Sequence, residues 1–227
     1  MNKKELYILM QLNGGTFPTG GFSQSWGLET YVSEGTVSNS ETFAEFLETY
    51  LDAAVGKCEG PVLLEAYRMT EVEDFNGLKE LEALSNASKV TKESRQAGIR
   101  MGKAFLRLMQ PIINCDKLDE IADLFRGGEV SYPVIYGAVC CILNMDSEEA
   151  LRAYVYSAAN TLVQSGIKLI PLGNTEAQQI LFNSADLMES AVELSMKTAV
   201  EDITNFCPGM DIASIKHEIL PVRLYMS

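Results

Sequence analysis

Histidine is nearly missing from the 227 residues: the chain holds one, His217. That excludes a resident metal centre built from two histidines on one helical face or from a Cys/His cluster. Cysteine is sparse and irregular. Cys58, Cys115, Cys140, Cys141 and Cys207 form an odd set without a CxxC pair, and the adjacent Cys140 and Cys141 would bridge only with strain. They read as reduced thiols packed as small core residues in a cytoplasmic protein. Positive charge is the scarcer sign, 18 Lys and Arg against 31 Asp and Glu, and the resulting net charge of -13 repels phosphate backbones and anionic lipid. Nucleic acid and membrane surfaces are therefore not expected as partners. No window of about 18 apolar residues is present, so no membrane span is expected. The opening MNKKELYILMQLNGG carries two lysines before an apolar run, but Glu5, Tyr7 and Gln11 interrupt it and no small-residue cleavage site follows.

Catalytic signatures are equally thin. The nearest approach to a phosphate-binding loop, Gly98-Ile99-Arg100-Met101-Gly102-Lys103-Ala104, has the wrong spacing and ends in alanine. With Ser94 it places small residues at i, i+4 and i+8 of a helix, where another element can pack closely. Gly21-Phe22-Ser23-Gln24-Ser25 lacks the closing glycine of a nucleophile elbow. A serine hydrolase would have to combine Ser23 with the distant His217. Carboxylate groups such as Glu71, Glu73 and Asp74 read as solvated helix ends, not an acid/base pair. No cofactor is expected.

What the sequence does hold is helical period. Phe43, Phe46, Leu47, Tyr50, Leu51 and Ala54 follow i, i+3, i+4, i+7 over 41 to 58, with Ser38 and Glu41 offering a capping box. Further helices are expected over 60 to 72, with Pro61 in the first turn, over 79 to 109 with a break near Asn86 and a stop at Pro111, and over 131 to 143, 147 to 170 and 173 to 206. Cys207, Pro208 and Gly209 are expected to end the last of them. Strand signals are nearly absent, no repeat or long linker divides the chain, and 47% hydrophobic residues suffice for a large core. The expected fold is an all-α single-domain bundle of about eight to ten helices over residues 1 to 210, followed by a flexible C-terminal tail, 211 to 227.

Two strings stand apart. Residues 16 to 29, Thr-Phe-Pro-Thr-Gly-Gly-Phe-Ser-Gln-Ser-Trp-Gly-Leu-Glu, are denser in aromatics and glycine than a simple connection requires. The end, Val222-Arg223-Leu224-Tyr225-Met226-Ser227, gathers residue types that anchor interfaces. Residues 17 to 29 resemble the opening motif of the UreF family, roughly LPxGxFSxSxGLE. Further blocks agree in order: Ser94 to Gly98, Tyr132 to Gly137, Asn160 to Val163 leading into Lys168 to Gly173, and Asp211 to Glu218 with Arg223 to Ser227. The resemblance spans nearly the whole chain. Departures are small: Tyr132 where many members carry histidine, Asn174 where glutamine is usual, Tyr225 where phenylalanine is usual.

The resemblance implies a non-enzymatic, homodimeric urease accessory protein. In that family the chain binds UreD, also called UreH, recruits the GTPase UreG, and acts on apo-urease so that nickel is inserted. It further implies that the closing segment, with Asp211, Ser214, His217, Glu218, Arg223, Leu224 and Tyr225, meets UreD. Ser23, Gln24, Glu29, Arg95 and Lys168 belong to the expected partner-binding set as well, with the opening motif and Lys168 on the UreG side. An alternative within the same assembly is a GTPase-activating or gating role, in which Arg95, Arg100 or Arg223 acts on UreG in trans.

Overall fold

The computed structural model describes residues 3–227; Met1 and Asn2 of the lysine-bearing opening lie outside it. The described residues contain no strand and twelve α-helices, two more than the upper expectation. In chain order they are α1 (Lys3–Leu12), α2 (Leu28–Ser33), α3 (Ser40–Thr49), α4 (Gly60–Glu71), α5 (Phe75–Ser88), α6 (Lys92–Ile113), α7 (Asp116–Leu124), α8 (Tyr132–Ile142), α9 (Ser147–Leu169), α10 (Asn174–Asn183), α11 (Ala185–Lys197) and α12 (Pro208–His217). Between α3 and α4 the chain does not break but widens into a π-helical stretch, Tyr50–Glu59, so that one continuous run extends from 40 to 71. The extra residue per turn re-aims the buried face, and Glu59 at its end points inward among Tyr50, Val55 and Cys58.

Local chemistry explains the other departures. The cap of α3 is Asn39, whose side chain accepts from the Thr42 amide while Thr42 Oγ1 accepts from Asn39 N, one residue along from the expected Ser38 and Glu41 pair. Pro111 does not stop α6, because it falls in the last turn on an exposed position, where little of the helix remains to be interrupted; left-handed Asn114 ends the helix. Residues 173 to 206 are not one helix: Ser184, with φ -84 and ψ 8, separates α10 from α11. Cys207, Pro208 and Gly209 open a helix instead of closing one, since proline at the first helical turn gives up no intrahelical bond. Hence α12 crosses the boundary drawn at residue 210, and the first seven residues of the expected tail are helical.

Helix α8 is the centre of the core, buried from Tyr132 through Cys140. It lies so close to α4 that a side chain at Gly137 would overlap the Leu63 carbonyl oxygen. Gly102 of α6 is likewise filled by the Val130 and Ser131 backbone entering α8, so the small-residue stripe does admit a close neighbour, a loop and not a helix. Phe105, Tyr132, Tyr136 and Tyr154 pack with ring centroids 5.3 to 5.8 Å apart and join α6, α8 and α9. Burial holds the Tyr132, Tyr136 and Tyr154 phenols well above their ordinary pKa, so they stay neutral. No helix among the described residues is long and apolar enough to cross a membrane.

Candidate functional site

The opening and closing strings, far apart in sequence, meet in space. Phe17 seats the opening string on the core, 5.6 Å from the Phe105 ring. Gly21–Ser23 form one 3-10 turn, with Ser23 Oγ donating to the Gly20 carbonyl at 2.7 Å. Trp26 and Gly27 then follow with φ of 55° and 86°. Left-handed backbone is an outlier for a residue as bulky as tryptophan, and it reverses the chain into α2. Gly27 is left-handed and also lies against Ala213 and the Met210 carbonyl of α12. Thr30 Oγ1 completes that contact by donating to the Ala213 carbonyl at 2.8 Å.

This reversal turns Glu29 inward, 6% exposed, where its carboxylate collects donors from the closing segment. His217 Nε2 lies 2.9 Å from Glu29 Oε2, the Leu224 amide donates to Oε1 at 2.7 Å, and the Tyr225 amide donates to Oε2 at 3.1 Å. The other ring nitrogen of His217, Nδ1, lies 2.7 Å from Glu93 Oε2, and Arg223 donates to Glu93 Oε1 at 3.0 Å. Backbone pairing extends the contact: the Met226 amide donates to the Ser23 carbonyl at 2.8 Å and the Ser25 amide to the Ser227 carbonyl at 2.7 Å. Ser227 Oγ donates to Gln24 Oε1 at 2.7 Å. Residues 218 to 227 thus lie against the body of the protein as a strap.

The remaining expected residues fall around this clasp or outside it. Ser214 Oγ donates to Thr91 Oγ1 at 3.0 Å, fixing α12 to the start of α6. Lys168 Nζ sits 5.9 Å from the Tyr225 ring centroid, a cation over an aromatic face. Asp211 is half-buried, and that burial raises its carboxyl pKa. Leu224 and Glu218 are exposed. Arg95 does not reach the clasp: it donates to the Lys89 and Val90 carbonyls, 2.7 Å each, and ties the α5–α6 connection.

Sequence reasoning missed Glu93, the second carboxylate. A signal was present, since 93, 97 and 101 share a helical face whose other two members, Ala97 and Met101, are buried; a glutamate there needs a partner. It also missed the buried ion pair behind the opening string, in which Lys89 Nζ lies 2.6 Å from Glu59 Oε1 and Tyr154 donates to Glu59 Oε2 at 2.9 Å. A cavity of about 110 Å³, bordered by Phe17, Trp26, Glu59, Tyr154 and Lys168, separates this pair from the outer end of α9.

The arrangement holds and positions. The ring nitrogens of His217 point in opposite directions into two carboxylates, so their lone pairs do not converge on a metal, and no grouping of His, Cys, Asp and Glu among the described residues is arranged to hold one. Because both nitrogens are engaged in a fully buried ring, His217 cannot serve as base for Ser23, whose hydroxyl is spent on Gly20; the hydrolase pairing is excluded.

The sequence model of the UreF family matches residues 37–185. Three relatives are each named a urease accessory protein UreF, and the match to the third takes in the opening and closing strings. One from Sporosarcina pasteurii is 32% identical over 88% of this chain and 100% of its own. One from Bacillus sp. (strain TB-90) is 32% identical over 98% of this chain and 99% of its own. One from Geobacillus kaustophilus is 30% identical over the full length of both.

Proposed function

Because the chain belongs to the UreF family of urease accessory proteins, we propose that it is the scaffold through which nickel is inserted into apo-urease: a cytoplasmic homodimer that binds UreD (UreH) and recruits the GTPase UreG. The family is one of accessory proteins and not of enzymes, and nickel is the cargo of this work. The observation that supports the reading is the face presented by α12 and the strap. Ile212, Ile215, Ile219, Val222, Leu224 and Met226 are each more than half exposed on a segment fixed by buried polar contacts. Six exposed apolar side chains gathered within fifteen residues of a chain of net charge -13 suit the docking of a protein partner. That surface is the UreD side. The opening string and the Lys168 region flank it and face UreG, with Gln24 and Glu29 buried beneath as the residues that hold this face in place.

Two of the three arginines considered for a GTPase-activating role are engaged within the chain, Arg95 on backbone carbonyls and Arg223 on Glu93, which favours recruitment over chemistry in trans. The test is copurification of the chain with UreD and UreG, followed by GTP-dependent activation of apo-urease with and without it. Activation that depends on the chain and on the complex supports the scaffold. No complex, or equal activation without the chain, overturns it.

A further inference from the structure

Helix α6 carries a face that the fold leaves without a counterpart. Lys92, Arg100, Lys103 and Arg107 fall within about 80° of one another round the helix and stretch along about 22 Å of it. Lys92, Lys103 and Arg107 are exposed and Arg100 is half-buried, with the uncharged Gln96 among them. Glu93, the one acidic residue of α6, is turned inward onto His217 and Arg223. None of the four cations has an ion-pair partner among the described residues. Two nitrogens of the Arg100 guanidinium, Nε and Nη2, are buried and meet no acceptor among those residues.

A solvated helix face ordinarily mixes the two signs, so that neighbours three and four residues apart attract. Here Arg100, Lys103 and Arg107 are spaced to repel, and Lys92 stands in the first turn, at the positive end of the helix dipole. A guanidinium with buried donors and no acceptor is costlier still. We propose that this stripe is the docking surface for a carboxylate-bearing helix of a protein partner, with Arg100 receiving a carboxylate and Lys103 and Arg107 flanking it.

The charge of the whole chain selects a protein over a polyphosphate. At -13, the surface beyond the stripe repels a nucleic acid or an anionic bilayer, which is negative along its full extent, whereas a helix can confine its carboxylates to one face. A planar carboxylate also matches the guanidinium fork of Arg100. The strap meets α6 at the near end of the stripe: Arg223 donates to Glu93, two turns before Arg100 and on the same side of the helix. A partner seated on the exposed apolar side chains of the strap is therefore the one in reach of the stripe. That this partner is UreD rests on the scaffold reading; the stripe itself does not.

The test uses the full chain, labelled with nitrogen-15, and a synthetic alanine-based helix of about 20 residues, long enough to span the stripe, with glutamates three and four residues apart on one face. A twin with glutamine in their place and inorganic triphosphate are the comparisons. The glutamate helix should bind saturably, shift the Arg100 Nε–H signal and weaken as salt rises; the glutamine twin should not bind. Lys103→Glu with Arg107→Glu, both on the surface, should bind it at least about tenfold more weakly than Lys79→Glu with Lys197→Glu, which makes the same change of net charge away from the stripe. Equal binding of the two helices or by the two variants, an Arg100 signal that does not move, or triphosphate binding more tightly than the glutamate helix overturns the inference. So does a dimer that the charge reversal alone takes apart, which would make the occupant a second copy. UreD capture separates the two readings: capture weakened by the stripe variant supports both, capture indifferent to it overturns the shared partner, and a stripe that binds the glutamate helix with no UreD capture at all leaves the stripe standing and removes the scaffold.

Discussion

Replacing Lys89 by methionine should cost far more than the loss of one hydrogen bond. Lys89 is 3% exposed and Glu59 6% exposed, and apart from Lys89 the Glu59 carboxylate keeps only the Tyr154 hydroxyl as a partner. Burial alone would lower the Lys89 pKa, but the neighbouring Glu59 and Cys58 outweigh it and the net shift is upward. A raised ammonium pKa means that the pair's contribution is fully present below about pH 10.4 and is lost only as pH rises past the raised value. At pH 7.5, then, Lys89→Met removes the whole partner and strands a buried anion, a change worth about 3–5 kcal/mol. At roughly 2–4 °C per kcal/mol for a chain of this size, the melting temperature should drop by about 6–20 °C.

Helical circular dichroism on heating, with urea unfolding alongside, reads this directly. The double variant Glu59→Gln with Lys89→Met removes the stranded charge and should recover most of the loss, since a buried pair contributes little over neutral groups of similar volume. A single variant within about 1 kcal/mol of wild type, or a double variant no better than the single, would refute the reasoning.

Gly137→Ala should destabilise the protein by at least about 1–3 kcal/mol, because the new methyl meets the Leu63 backbone and neither α4 nor α8 can retreat without opening the core; urea midpoints check this. Ending the chain after Leu220 removes residues 221 to 227 of the strap but leaves all of α12, so the helical melt should shift only a few degrees while UreD capture is lost. Retained capture would place the UreD surface elsewhere.

Much of the fold was legible because it depends on local period. The apolar spacing from Phe43 to Ala54, Pro61 in a first turn and the near absence of strand patterns each report on a few neighbouring residues, and each corresponds to helix in the structure. What was not legible depends on context. The π stretch at Tyr50–Glu59 has an ordinary helical composition, and nothing local in it marks the wider turn, which lies where the segment packs against α11 and α4. In sequence Pro208 reads as a stop, because a proline after a long helical run usually is one; the same residue is equally suited to a first turn, and which role wins depends on whether Ala213 and Ser214 find a buried face. The clasp was half legible. Its two strings were conspicuous in composition, and Glu29 and His217 were both marked, but their contact spans 188 residues and its second carboxylate, Glu93, lay in a helix that looked like packing alone.

The chemistry of the clasp also explains why so costly a device is used to hold ten residues. Buried ion pairs add little stability over apolar packing, so stability alone does not account for two carboxylates, an imidazole and a guanidinium here. They supply register. An apolar strap could slide by two residues and keep its pattern, whereas this one is fixed by the Leu224 and Tyr225 amides on the two oxygens of Glu29, the Met226 amide on Ser23 and the Ser25 amide on Ser227. With the backbone so fixed, Tyr225 and Ser227 turn inward and Val222, Leu224 and Met226 turn outward in a set order. Under the scaffold proposal that order matters more than another kilocalorie, since holding the strap by its backbone leaves the outward apolar side chains free for a partner.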